Sequence, residues 1–143
     1  MNPDEASRTY SSVYNNDAIG TVHAQSKLDS PQGWSAGSIR IGEWMQIDLG
    51  TTMCVNGVVT QGRGDYPQWV TSYKLSYSTD GTSFTKLPQM YAANDLHDNT
   101  RITNSFDAVE ARYVRFIPQT WHGHMAMRAG VIGSNFAHAP GIL

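Results

Sequence analysis

The chain lacks most of the features that identify common functional classes, and each absence excludes something. Its 143 residues contain one cysteine, Cys54, so no intrachain disulfide can form. The formal net charge is −2 and no basic stripe is present, which argues against a nucleic-acid partner. No apolar run approaches the roughly 20 residues that a membrane-spanning helix needs. No window combines an apolar helical repeat with helix caps, so little helix is expected.

The N-terminus and the single thiol bear on the compartment. Residues 1–5 lack the basic and apolar regions of a secretory signal, and the lack of a disulfide favours the cytosol. We therefore expect a cytoplasmic protein or one secreted by a route without a signal peptide; a chain trimmed from a longer protein would leave the compartment open. Because Cys54 follows Met53 and precedes Val55, we expect a buried, unreactive thiol.

Strand patterns recur along the chain, each bounded by turn-forming residues. The segment 43–49 alternates, with Met45, Ile47 and Leu49 on one face. Many short strands with turns between them predict an all-β antiparallel sandwich or barrel. The predicted strands are 43–49, 55–60, 72–78, 83–87, 100–106, 113–117 and 125–132.

The remaining segments are predicted to be loops and turns. Thr79-Asp80-Gly81-Thr82 predicts a tight hairpin turn. Residues 1–38 are polar and loop-like, with Trp34 as their main apolar anchor, and residues 90–99 form a long connection. Trp34 and Trp44 are expected in the core.

The loop after the second predicted strand is the most informative segment. Arg63, Asp65, Tyr66 and Trp69 fall within seven consecutive residues, and such side chains on a loop held by strands are typical of a recognition site. Arg63-Gly64-Asp65 is also an integrin-ligand string, which requires a flexible loop tip. Because Pro67 and Trp69 favour a braced loop, we do not expect integrin binding.

Several motifs in this order resemble the discoidin domain, also called the coagulation factor 5/8 type C domain. The resemblance covers roughly residues 10–133, and the loop after the second predicted strand and the segment 118–128 are most similar to the slime-mould discoidin lectins. The matching segments are Gly33-Trp34-Ser35-Ala36-Gly37, Glu43-Trp44-Met45-Gln46-Ile47-Asp48-Leu49-Gly50, Gln61-Gly62-Arg63, Tyr77-Ser78-Thr79-Asp80-Gly81, Arg112-Tyr113-Val114-Arg115-Phe116-Ile117-Pro118 and Trp121-His122-Gly123-His124-Met125-Ala126-Met127-Arg128.

The resemblance implies an eight-stranded antiparallel jelly-roll-like sandwich, similar to galactose-binding domains, over residues 1–133, with a tail or linker at 134–143. Loops at one end would bind a sugar, a phospholipid head group or a protein. The chain departs from the family where Ser134 stands near the expected C-terminal cysteine. It departs again where Gly130 replaces a glutamate that often ligates a structural calcium. We therefore expect no cofactor. The missing glutamate argues against a bound calcium ion, although the sequence alone does not exclude one.

The resemblance also implies that the segments 14–19, 38–42 and 61–73 gather at the binding end, beside the turn with Trp121 and His122. Sugar binding needs paired donors and acceptors for hydroxyls and an aromatic face for the ring. The candidate contact residues are Asn16, Asp17, Arg63, Asp65, Trp69, Trp121 and His122.

Structural roles compete with these assignments. Asp17 could cap a turn, Arg63 could brace the loops through a carboxylate, and Trp69 could pack beside Val70. Trp121, predicted on a loop, is the better stacking face. His122 and His124 lack a nearby third ligand, so no metal site is expected.

No nucleophile–base pair, phosphate loop or metal motif is visible, so we expect a binding module rather than an enzyme. The favoured function is a lectin for galactose- or N-acetylgalactosamine-type sugars, used in cell adhesion or agglutination. An oligomer would then add avidity. The alternatives are a peripheral membrane module for anionic phospholipids, with Ile19, Ile39, Ile41 and Arg40 as its candidate contacts, and a protein-binding adhesion domain.

Overall fold

The computed structural model describes residues 1–95 and 99–135, and these form an antiparallel β-sandwich. Two short 3-10 turns, Glu5–Ser7 and Tyr14–Asn16, lie in the N-terminal segment. No helix in the described ranges is long and apolar enough to cross a membrane. The strands are β1 (Arg8–Tyr10), β2 (Trp34–Ser35), β3 (Met45–Gln61), β4 (Trp69–Ser78), β5 (Thr85–Ala92), β6 (Ile102–His122) and β7 (Ala126–Ser134).

Two long strands are shared by both layers of the sandwich. The 17-residue β3 and the 21-residue β6 pair along most of their length, in the order β2-β7-β3-β6-β4-β5. The first half of β3 also pairs with β1, whereas its second half pairs with β7. The two layers face each other across one core. Its fully buried large side chains include Trp34, Met45, Ile47, Val55, Tyr73, Leu75, Phe116, Met125 and Met127.

The predicted sandwich is confirmed, but several of its strands are longer than the sequence indicated. The predicted strands 43–49 and 55–60 are parts of β3, and 100–106 and 113–117 are parts of β6. A register shift between Asp48 and Met53 lets β3 bend without ending. The described residues form seven continuous strands, in keeping with the expected sandwich of about eight.

Other boundaries also moved. The predicted tight hairpin at 79–82 is a wider connection, because β4 ends at Ser78 and β5 starts at Thr85. Met90 to Ala92, predicted as part of a connection, belong to β5. The N-terminal segment is loop-like as predicted, although it contributes β1 and β2.

Of the residues expected inside, Trp34 is fully buried, but two others are not. Trp44 is half-buried and covers the Arg115 guanidinium, whose carbon lies 4.0 Å from the ring centroid. Cys54 is half-buried rather than buried. Of the predicted tail 134–143, Ser134 belongs to β7, and residues 136–143 lie outside the described residues.

Arg8 ties the irregular N-terminal segment to the sandwich. Its side chain is fully buried, and Nη1 donates to the carbonyl oxygens of Ser26 at 2.8 Å and Ala129 at 2.6 Å. Nε donates to the Pro3 carbonyl at 3.0 Å, and Nη2 to Asn2 Oδ1 at 3.0 Å. Burial lowers the pKa of Arg8, although nearby carboxylates oppose the shift. Its hydrogen-bond acceptors are therefore backbone oxygens and the Asn2 amide oxygen, and carboxylates stabilise the cation only at longer range.

We predict that Arg8→Met lowers the free energy of unfolding by about 3 kcal/mol or more, because the buried oxygens would lose their donor. Urea denaturation followed by tryptophan fluorescence measures the change. The control is Arg112→Met, which removes a partly exposed pair with Asp48 and should cost much less. An equal loss in both variants would contradict the stabilising role of Arg8.

Candidate functional site

Three segments meet at one end of the sandwich, which we call the loop end. They are residues 13–24, the loop 62–68 between β3 and β4, and the turn 123–125 between β6 and β7. All three are held by strands or by local hydrogen bonds, so their side chains are presented from a rigid base.

Aromatic and backbone contacts join the three segments. The Tyr14 ring centroid lies 4.9 Å from that of His23 and 5.9 Å from that of His124. A methyl group built on Gly123 would lie 3.2 Å from the Gln68 side chain, so this turn packs closely against the neighbouring loop. The segments predicted at 14–19 and 61–73 therefore do gather.

Residues 38–42 were predicted at the same end, and two of them line a different surface. Ile41 and Gly42 line a groove on the outer face of the sheet, together with Lys74 of β4 and Gln119 of β6. The turn at 123–125, which directly follows Trp121 and His122, lies beside the segments 14–19 and 61–73.

Asp17 and His23 form a hydrogen-bonded pair within the first segment. His23 Nδ1 lies 2.6 Å from Asp17 Oδ2, and the His23 backbone amide donates to the same oxygen at 3.3 Å. These bonds lower the pKa of Asp17. Asp17 Oδ2 therefore braces the loop, while Oδ1 has no hydrogen-bond partner among the described residues.

Asn16 lies beside this pair on an exposed turn. Asn15 and Asn16 both have positive φ, 59° and 53°, a region that asparagine tolerates better than most residues. The Asn16 amide nitrogen of the backbone donates to the Val13 carbonyl at 2.9 Å, which closes the turn. Its exposed side chain makes no hydrogen bond within the described part of the chain, so it is free to contact a ligand.

Arg63 is braced on one side and available on the other. Nε donates to Asp65 Oδ1 at 2.7 Å and Nη1 to Gln68 Oε1 at 3.0 Å, while the guanidinium carbon lies 5.4 Å from the Tyr66 ring centroid. Only 13% of the side chain is exposed. Nη2 has no hydrogen-bond partner in the described ranges, so it can donate to a ligand.

The base of this loop is held by a second buried arginine. Arg128 donates from Nε to the Gly62 carbonyl at 2.7 Å and from Nη1 to the Ser30 carbonyl at 2.8 Å. A Cβ on Gly64 would lie 2.9 Å from the Pro31 carbonyl oxygen, so only glycine fits there. The Arg63-Gly64-Asp65 string is thus a braced turn, as expected, and not a flexible tip.

Trp69 and His122 form an aromatic surface beside Arg63. They are paired across β4 and β6, and their rings stack with centroids 4.2 Å apart and an angle of 17° between planes. His122 is exposed and Trp69 is half-buried. Such a stacked pair can cover the apolar face of a sugar ring.

Trp121 corrects one expectation. It was predicted on a loop, but it lies in β6, where it is paired with the buried Val70 and packs against the core. Because neighbouring residues of a strand point to opposite faces, Trp121 and His122 do not share a face. The stacked pair of Trp69 and His122 is therefore better exposed to a ligand than Trp121.

His124 connects the three segments electrostatically. Burial lowers its pKa, the hydrogen bond to the Met125 carbonyl opposes this shift in part, and the positive charges of Arg63 and His23 add smaller lowering effects. His124 is therefore neutral near pH 7. In the described part of the chain, no three His, Cys, Asp or Glu side chains are placed to share a metal ion.

Sequence reasoning missed Tyr14, His23 and His124 as members of the site. Tyr14 was inside a named loop but was not selected, and His124 was considered only as a metal ligand. Six residues separate Asp17 from His23, a spacing with no regular meaning in an irregular segment. Only the fold brings these rings together.

With this geometry established, comparison with known proteins identifies the family. The model of the F5/8 type C domain matches residues 6–131. The chain belongs to this family. Mouse lactadherin is 34% identical over 122 residues, which cover 80% of this chain and 26% of that protein. The chain thus spans about a quarter of this curated relative.

Solved structures agree with the family assignment. Discoidin II of Dictyostelium discoideum has a TM-score of 0.73 at 25% identity, covering 89% of this chain and 54% of that one. A family 32 carbohydrate-binding module from C. perfringens, solved in complex with galactose, has a TM-score of 0.64 at 12% identity, covering 87% of each chain. The second likeness shows the shared fold alone.

The lowered pKa of His124 predicts a pH dependence of stability. The unfolded chain takes up a proton at this residue near pH 6.5, but the folded chain does so only at lower pH. The free energy of unfolding should therefore decrease as pH falls from about 6.5 towards the folded pKa. NMR titration of the ring protons, with His124→Gln for assignment, measures the folded value. A pKa at or above 6.5 would contradict the burial of this ring.

Proposed function

We propose that this domain is a carbohydrate-binding lectin module without catalytic activity. The observation that carries the proposal is the meeting of three groups at the loop end. Arg63 Nη2 supplies a charged donor, Asp17 Oδ1 an acceptor, and the Trp69–His122 stack an aromatic face. Donor, acceptor and stacking surface together are what a pyranose ring with neighbouring hydroxyls requires.

The proposed ligands are galactose- and N-acetylgalactosamine-type sugars. The family resemblance supports this class, as does the shared fold of modules solved with galactose and with GalNAc-β-1,3-galactose. Asn16, Asp65 and His122 would add polar contacts around the ring. A single small site binds weakly, so a role in adhesion or agglutination would require an oligomer.

We predict that Arg63→Ala weakens galactose binding by about tenfold or more, because a charge-assisted hydrogen bond is lost. Glycan-array screening followed by calorimetry measures the change. Arg112→Ala is a closely matched control. Arg112 pairs through Nε with Asp48 at 2.9 Å and lies 5.1 Å from the Tyr113 ring, much as Arg63 meets Asp65 and Tyr66. It lies about ten residues from the loop end along β6.

Two outcomes would overturn the lectin proposal or its site. Glycan binding that survives Arg63→Ala unchanged would show that the site is elsewhere. If the protein sedimented with anionic liposomes and bound no glycan, the proposed lectin function would be wrong and membrane binding would take its place.

A membrane module is the second candidate, because the loop end also carries exposed apolar side chains. Ile19 is 48% exposed and Val22 is 42% exposed. Val22 has a φ of 37°, an unfavourable conformation for a β-branched residue. Apolar tips suit insertion between head groups, but Arg63 is the sole cation at the described loop end and it is paired with Asp65. The lectin proposal is therefore preferred.

We also propose that the domain needs no calcium. At the position where the family resemblance implies a glutamate, a Cβ on Gly130 would lie 2.6 Å from Leu28 Cδ1 and 2.8 Å from the Met1 carbonyl oxygen. The carbonyls of Ser26 and Ala129 nearby already accept hydrogen bonds from Arg8. A guanidinium among these oxygens would repel a divalent cation, so the residues present do not fit calcium.

The expected result is that neither calcium nor EDTA changes the melting temperature or the galactose affinity. Differential scanning calorimetry with each addition tests this. A rise in melting temperature that saturates with calcium would contradict the proposal, since a ligand of the folded state stabilises it.

A further inference from the structure

The outer face of the sheet carries a groove that the loop-end site does not use. Its lining includes Lys74 of β4, Lys86 of β5 and Gln119 of β6, three neighbouring strands of the sheet. Ile41 and Gly42, from the loop between β2 and β3, also line it. The groove has a volume of about 230 Å³, small enough to suit one compact group.

The positive charges of this face are uncompensated, unlike those elsewhere in the chain. The sequence has ten lysines and arginines, all of them in the described ranges. Five form ion pairs with carboxylates, and two, Arg8 and Arg128, are buried and donate to backbone carbonyls. The remaining three are Lys74, Lys86 and Arg115, and all three lie on this face.

Strand register places these three cations close together. Arg115 of β6 is opposite Ser76 of β4, and Ser76 is opposite Lys86 of β5. Arg115 and Lys86 therefore lie in one row across the sheet, with Ser76 between them. Lys74 lies two residues from Ser76 on the same face. Lys74, Lys86 and Arg115 therefore form a positive patch on a chain whose net charge is −2.

Arg115 is held rigidly without a carboxylate. Its guanidinium carbon lies 4.0 Å from the Trp44 ring centroid and 3.9 Å from that of Phe84, and Nε donates to Gln46 Oε1 at 2.8 Å. The acidic residue next to the groove, Glu43, is buried and is occupied by Ser11, Ser12 and Arg40. It therefore does not neutralise the patch.

The other lining residues of the groove indicate what kind of group would fit beside the two lysines. Ile41, Leu87 and Ile117 supply aliphatic carbon. Gln119 Nε2 donates to the Ile117 carbonyl at 3.1 Å, which leaves its Oε1 to accept from a hydroxyl. The groove thus combines an apolar wall, a hydroxyl acceptor and two lysines for an anion.

We propose that this groove is a second carbohydrate subsite, which takes a sugar unit that carries a carboxylate or a sulfate. The ring would lie against the aliphatic wall, with its anionic group between Lys74 and Lys86. A concave groove on a sheet face admits such a unit, whereas a flat bilayer surface meets the loop tips more readily. The subsite is independent of the loop-end site.

The test compares the double variant Lys74→Gln/Lys86→Gln with the wild type. Calorimetry at low ionic strength would use three probes of equal length: a uronate oligosaccharide, a sulfated one and a neutral one. We expect the double variant to lose about tenfold or more in affinity for an acidic probe and to lose its salt dependence. Whichever acidic probe binds identifies the anionic group.

Two controls separate this subsite from the loop end. Lys27→Gln changes the remaining lysine, which pairs with Asp4, and should leave acidic-probe binding intact. Arg63→Ala should weaken galactose binding by about tenfold or more without weakening binding of the acidic probe. No binding of either acidic probe to the wild type would overturn the proposal, as would unchanged affinity in the double variant. Binding to anionic vesicles alone would assign the patch to a membrane.

Discussion

Two buried guanidinium groups hold the irregular part of this domain against its regular part. The first third of the chain contributes little strand, so its backbone carbonyls need partners that a sheet does not supply. Arg8 gathers carbonyls of Pro3, Ser26 and Ala129, and Arg128 gathers those of Ser30 and Gly62. Each guanidinium has five N–H donors in a fixed plane, so one side chain can satisfy several segments at once. The shape of the loop end depends on these contacts.

The candidate site inherits its rigidity from this arrangement. Arg128 fixes the backbone immediately before Arg63, and the close approach of Gly64 to Pro31 fixes the backbone immediately after it. The side chain is then aimed by Asp65 and Gln68. A donor whose position is set before binding loses less entropy when a ligand arrives. This explains how a loop of small and polar residues can serve as a recognition surface.

The sequence predicted the features that depend on local pattern. Alternation in 43–49 placed Met45 and Ile47 inside, and the discoidin-like motifs indicated two of the segments that gather at the loop end. Features that depend on tertiary contacts were missed. Nothing local shows that β6 continues through Pro118 to His122, and so Trp121 was predicted on a loop. Proline usually marks the edge of a strand pattern, and here the strand tolerates it.

The same limit applies to charge. In the sequence, Arg8 and Arg115 both look like surface cations in polar or alternating segments. The structure separates them: the first is buried among carbonyls, and the second is stacked between two aromatic rings. Such environments are made by residues distant in sequence, and no short window contains them. Counting charges therefore indicated a nearly neutral chain without showing where the charge lies.

The position of each charge matters for the kind of ligand that each surface can hold. At the loop end, Arg63 is paired with Asp65 and Asp17 with His23, so the local field is weak while directional donors and acceptors remain. That combination suits a neutral ligand with many hydroxyls, which gains from geometry more than from charge. On the outer groove, Lys74 and Lys86 have no acidic partner in the described ranges, and an anion would gain from the field itself. The loop end and the groove are thus chemically different surfaces of one domain, because carboxylates pair with the cation of the first and not with the lysines of the second.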